Sequence, residues 1–196
     1  MSDTYYVKTF GGLEITNDNV TVNIVELFGK QLVNLLQVLL FHSEKPVQKD
    51  ELIDILWPES KNPSSALKFS IFRLRSELNE IDFFKDKEVI VTTRKGYILN
   101  PNLDWNIDFV ELEKAYNQIN EGAELLDEKE FKIARKIFRL YQGRFYASPS
   151  QLHWILQKQE VFRQMYVKTM MRTSCYLYTQ KRYDEMMLMN YQAVLI

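Results

Sequence analysis

The 196-residue chain holds a single cysteine, Cys175. One thiol excludes an internal disulfide framework and agrees with a reducing compartment; it reads most simply as a buried structural side chain. Long apolar runs are missing too. The longest, LLQVLLF at 35–41, is interrupted by Gln37 and falls far short of the roughly 20 residues that a spanning helix needs. The opening MSDTYYVKTF has neither the basic start nor the apolar core of a secretory signal. A cytoplasmic chain with no membrane contact is the expectation.

Excess charge of one sign is also absent: 25 Lys and Arg face 26 Asp and Glu, for a net charge of −1. Residues 1–100 alone carry 12 basic and 14 acidic side chains. Any contact with a polyanion must therefore rest on a local patch, because counterion release depends on the cations that face phosphates and not on the sum. Motifs for catalysis are lacking as well. Gly29-Lys30 has no upstream glycine of a phosphate-binding loop, and Gly11-Gly12 is not a GxGxxG. His42 and His153 lie far apart, without HExxH, CxxC or paired carboxylates. No catalytic residue, metal site or cofactor is expected.

What is present is an ordinary globular composition, 46% apolar and 26% charged, long enough for two small domains. One stretch, Asn62 to Ile81 (NPSSALKFSIFRLRSELNEI), organises the rest. A proline at its start and Ser64 or Ser65 as cap predict a helix. At helical spacing Leu67, Ile71, Leu74 and Leu78 form one narrow stripe, which must be the buried face. The opposite face presents Ser65, Phe69, Phe72, Arg73 and Ser76, flanked by Lys68 and Arg75, and no acid occurs from Lys61 to Arg75. An apolar back with a cationic, aromatic front suits the major groove of double-stranded DNA. Arg73 is expected to donate to guanine and Phe69 to pack on a thymine methyl, with Lys68 and Arg75 on phosphates.

Around this helix, TYYVKTFGGLEIT at 4–16 reads as a hairpin turning at Gly11-Gly12, and VTVNIVELF at 20–28 as a further extended run. Leu32, Leu35, Leu36, Leu39 and Leu40 mark a second helix, and KDELIDILW at 49–57 a third. KEVIVTTRKGYILNP at 87–101 reads as two short strands around a basic tip. A small antiparallel sheet, three helices and a β-hairpin make the plan of an α+β winged helix, whose tip residues Thr93, Arg94 and Lys95 would supply the wing contact. FGGLEI, GKQLVNLLQVLLFHSEKPVQKDELIDILWP, SALKFSIFRLRSEL and RKGYIL, in this order and spacing, resemble the OmpR-type winged helix of the SARP or AfsR-like transcriptional activators. The resemblance covers most of residues 5–100 and implies the same task for the 62–81 helix. Phe72 departs from it, since the family often has a polar or basic residue there, and a partner contact is the other reading of that position.

Beyond Pro101 no strand-like run is visible. Helical patterns are predicted at Asp108–Gln118, Lys129–Leu140, Gln151–Arg182 and Tyr183–Ile196. ARKIF at 134–138 matches a fragment of a tetratricopeptide (TPR) helix. WNIDFVELEKA and ARKIFRLYQGRFYAS resemble the opening of the bacterial transcriptional activation domain of the same family. The expected layout is a winged-helix DNA-binding domain at 1–100 and an all-α, TPR-like activation domain at 101–196. Family members normally continue past this length, so two readings stay open for the apolar end YQAVLI: a fragment of a longer protein, or a face covered by association.

Phe138, Tyr141, Phe145, Tyr146, Tyr176 and Tyr178 exceed what so few helices are expected to bury. Homo-oligomer formation or a protein partner through 101–196 is therefore expected, and the resemblance implies RNA polymerase. The Met cluster at 186–189 could line an adaptable groove or fill a core. Trp57, Trp105 and Trp154 read as core or junction anchors. Two functions remain to be weighed: a sequence-specific transcriptional regulator, and a protein-interaction module on a degenerate winged helix that no longer binds DNA.

Overall fold

Alternation decides the opening strand. In β1 (Thr4–Lys8) Tyr5 and Val7 are buried while Tyr6 and Lys8 face solvent. The computed structural model describes residues 4–119, 125–147 and 152–194. After β1 come β2 (Glu14–Asn17) and β3 (Val20–Asn23), antiparallel from Glu14 opposite Asn23 to Asn17 opposite Val20. Asp18 takes a φ of 51° in the turn between them, a conformation that Asp tolerates.

The extended run predicted through Phe28 stops at Asn23. That side chain accepts hydrogen bonds from the amides of Val25 (3.1 Å) and Glu26 (3.4 Å) and so starts a one-turn helix, α1 (Ile24–Leu27). Helix α2 (Lys30–Phe41) buries Leu32, Leu35, Leu36, Leu39 and Leu40. Helix α3 (Lys49–Leu56) buries Leu52 and Leu56 and carries Asp50 and Glu51 in its first turn, where the helix dipole favours acids. Both pack on α4 (Pro63–Asn79), the organising helix. A 3-10 turn at Asp82–Phe84 leads to the hairpin of β4 (Ile90–Thr92) and β5 (Tyr97–Leu99). A strand that the sequence did not announce, β6 (Asp104–Ile107), joins the first sheet, whose order is β3-β2-β1-β6. Four residues with so little apolar alternation carry almost no signal; a neighbouring strand edge selects them.

Four helices follow: α5 (Asp108–Tyr116), α6 (Glu128–Leu140), α7 (His153–Thr179) and α8 (Tyr183–Val194). Asp127 and Glu130 close a reciprocal capping box on α6, with bonds of 2.7 and 2.9 Å. Gln151, Leu195 and Ile196, at the predicted ends of the last two helices, lie outside the described residues. No helix among the described residues is long and apolar enough to cross a membrane.

The chain forms two compact units, one of residues 1–6 and 14–105, the other of residues 7–13 and 106–196. A single cut near residue 100 does not express this, because Val7–Leu13 returns to the helical unit. Phe10 is fully buried there, its ring 5.1 Å from Tyr141, 5.3 Å from Phe162 and 5.8 Å from Phe145. The Asp108 carboxylate accepts from the amides of Thr9 (2.7 Å) and Phe10 (3.2 Å) and from the Thr9 hydroxyl. Burial pushes its pKa above the ordinary value, against those hydrogen bonds. Gly11, at φ 85°, donates its amide to Arg144 O at 2.9 Å, and a Cβ there would stand 2.9 Å from Gln142 O. Gly11 thus serves a close backbone approach and not only a turn between strands.

This inserted segment changes the aromatic balance. Tyr141, Phe145, Tyr146 and Tyr176 are buried and Phe138 is half-buried, so of the six aromatics expected in excess only Tyr178 is exposed. Cys175 is exposed, contrary to the buried thiol expected. Trp57, Trp105 and Trp154 are all half-buried.

Candidate nucleic-acid interface

Helix α4 owes its start to Asn62, not to either serine. The Asn62 side chain accepts from the Ser65 amide at 3.4 Å, and Pro63 occupies the first helical position, where its missing N–H costs nothing. Leu67, Ile71, Leu74 and Leu78 are all buried, as the spacing predicts. With that stripe fixed, the 3.6-residue period sets which side chains face solvent. Phe69 and Phe72 are 62% and 70% exposed. Ser65, Lys68, Arg73 and Ser76 are exposed beside them. Two large rings held in water by a rigid helix are uncommon away from an interface.

Arg73 donates Nη2 to Glu77 Oε1 at 3.3 Å, one turn along, with a side chain 52% exposed. An exposed pair of this spacing is worth only about 0.3–0.5 kcal/mol. Arg73 can therefore leave Glu77 for a stronger bidentate partner at small cost. Arg75 is placed differently. Its Nε (3.1 Å) and Nη2 (2.8 Å) donate to Ile90 O, and Nη2 also donates to Thr92 Oγ1 at 2.8 Å. That fork ties α4 to strand β4 of the hairpin. Helical spacing sets Arg75 beside Lys68, where a phosphate contact is expected, and carries no sign of Thr92, since nothing local links positions 17 apart.

At the hairpin tip, Thr93 shapes the turn. Its hydroxyl accepts from the amides of Lys95 and Gly96, both at 3.2 Å, and its own amide donates to Gly96 O at 2.8 Å. Arg94 and Lys95 project into solvent from this turn. Gly96 has a φ of 150°, and a Cβ built on it would lie 1.8 Å from Val47 O. Val47 and Tyr97 exchange backbone hydrogen bonds of 2.8 and 3.0 Å, so the hairpin is seated on the segment before α3. The structure thus joins the helix face and the wing through Arg75, and leaves Lys68, Phe69, Phe72, Arg73, Arg94 and Lys95 exposed. Among the described residues no group of three or more His, Cys, Asp or Glu could hold a metal ion.

A helix with this face, braced to a basic hairpin, has the form of a winged helix. Residues 25–99 match the family model described as "Transcriptional regulatory protein, C terminal". That segment is similar to the family. This winged helix spans α1 to β5 and includes every side chain considered above as a DNA contact. Comparison with curated proteins finds no match.

Among solved structures, EmbR of Mycobacterium tuberculosis, in complex with a low-affinity phosphopeptide, is similar over 94% of this chain, at 16% identity and a TM-score of 0.63. The match takes in 48% of the EmbR chain, so this chain spans about half its length. That likeness extends the fold through the helical unit: a winged helix followed by helices. Both findings agree with the order of elements that the sequence predicts, a winged helix followed by helices. The DNA-binding domain of E. coli CadC is 25% identical over 50% of this chain and 92% of its own, with a TM-score of only 0.38.

Proposed function

We propose that the chain is a non-enzymatic, sequence-specific regulator of transcription that reads double-stranded DNA through α4 and the β4–β5 wing and acts as an activator. The observation that carries this is the exposed α4 face, where Phe69, Phe72 and Arg73 stand clear of the core on a helix of a family of transcriptional regulators. In this reading Arg73 donates to a guanine edge, and Phe69 and Phe72 pack on thymine methyls. Lys68, Arg94 and Lys95 hold phosphates, and Ser65 lies near the helix start, where the dipole favours an anion. Thr93 shapes the wing, and Arg75 holds it at a fixed distance from the helix. Domain roles follow the same reading: the winged helix binds DNA, and the helical unit acts as a transcriptional activation domain toward a protein partner, RNA polymerase, or toward a second copy.

Electrophoretic mobility shift with genomic fragments tests the DNA reading. Retardation should appear at low salt and weaken as salt rises. Arg73→Ala should cost about 1–3 kcal/mol and relax preference at one base pair. No retardation at low salt would favour the degenerate winged helix, for which the balanced charge of residues 1–100 and the two exposed phenylalanines speak.

A further inference from the structure

The helical unit contains a groove of about 790 Å³ with walls from α6, α7 and α8. Its character follows from α6. Phe131, Ala134 and Ile137 turn into the core, which leaves Lys132, Arg135 and Arg139 as an exposed stripe at i, i+3 and i+7 along the groove. From Lys132 to Arg139 the stripe rises about 10 Å along the helix. Between the cations and α8 the lining includes apolar side chains, the half-buried ring of Phe138 on one side and Leu188, 59% exposed, on the other, with Gln142, Thr173 and Gln192 among them.

Charge is uncompensated inside the groove. The acid in its lining, Glu185, is already held by Arg182, whose Nη2 lies 2.8 Å from both carboxylate oxygens. Among the described residues the carboxylate paired with Lys132 is that of Glu128 at 4.0 Å, with both side chains largely exposed. No carboxylate pairs with Arg135 or Arg139 among the described residues, and their guanidinium groups are planar forks suited to carboxylates.

We propose that this groove docks an acidic amphipathic helix of a partner protein. Its carboxylates, spaced one helical turn apart, meet Lys132, Arg135 and Arg139, and its apolar face lies on Phe138 and Leu188. The shape is a helix-in-groove site, with apolar anchors for affinity and a cationic rail for register. The inference deepens the reading that the helical unit takes a protein partner and is independent of whether α4 binds DNA.

The test uses the full chain and a synthetic peptide helix with Glu at i, i+3 and i+7 and Leu on the adjoining face, followed by fluorescence anisotropy. Saturable binding should result, at least tenfold tighter than for a peptide of the same composition with the pattern scrambled. It should weaken with salt and be lost in Arg135→Glu/Arg139→Glu. Leu188→Asp, on the opposite wall, should also abolish it, and circular dichroism of each variant shows whether the helices persist. Equal binding of patterned and scrambled peptides would overturn the proposal, as would full binding by both variants. Competition by duplex DNA that Arg135→Glu/Arg139→Glu abolishes would reassign the stripe to nucleic acid and overturn it too. Light scattering on the same samples separates this from self-association, which should survive the α6 substitutions.

Discussion

At the scale of single residues, identical side chains two positions apart take different work. Arg73 and Arg75 lie on the same helix, yet Arg73 shares one weak exposed pair while Arg75 spends two nitrogens on Ile90 O and Thr92 Oγ1. Losing the Arg75 fork would leave the Ile90 carbonyl without those donors, a cost of about 1–3 kcal/mol. Arg75→Ala should therefore lower the melting temperature of the winged helix and weaken DNA binding while leaving the salt dependence of binding nearly unchanged. Arg75→Lys, which keeps the charge but not the fork, should behave like the alanine variant. A salt slope reduced by about one in Arg75→Ala, with normal stability, would instead make Arg75 a phosphate contact. The exposed phenylalanines were legible in the sequence because helical phase follows from the leucine stripe. The Arg75 fork was not, because its acceptors belong to another element.

At the scale of elements, the wing depends on one backbone position. The hairpin closes on Thr93 and Gly96, and Gly96 approaches Val47 so nearly that a Cβ would meet its carbonyl oxygen at 1.8 Å. Gly96→Ala would have to separate β5 from the segment before α3, breaking the Val47–Tyr97 pair, and should destabilise the winged helix by about 3 kcal/mol or more. Thermal melting followed by far-UV circular dichroism checks this, and an unchanged midpoint would show that the hairpin is not seated there. Sequence pattern located the hairpin, since VIVTT and YIL are rich in β-formers. It gave β6 no such mark, and it read residues 24–28 as extended because IVEL looks like a strand until Asn23 caps it.

At the scale of the molecule, the order of the chain and the order of the units differ. Val7–Leu13 lies in the opening sheet region of the sequence but completes the helical unit, with Phe10 against Tyr141, Phe145 and Phe162. Phe10→Ala should cost about 3–5 kcal/mol, the usual loss for a fully buried ring. The loss should fall on the helical unit, as a reduced melting temperature of α5–α8 reported by Trp154 fluorescence. For the same reason, residues 101–196 expressed alone should be less stable than the same helices within the full chain. Equal stability of the isolated helical piece would mean that Phe10 fills a space the helices can close by themselves.

The sequence by itself determined the longer helices, the buried stripe of α4, its solvent face and the basic hairpin, because each is set by local periodicity, capping and turn chemistry acting over a few residues. It also carried the resemblance of the winged helix to a family of transcriptional regulators, through short motifs in fixed order. Tertiary structure alone decided that Arg75 braces the wing, that β6 is a strand, that the surplus aromatics are mostly buried, and that Phe10 belongs with the helices. The physical reason is the same in each case. These features depend on partners that are distant in sequence, and neither propensity nor periodicity carries information about which distant group will fill a given space or accept a given hydrogen bond.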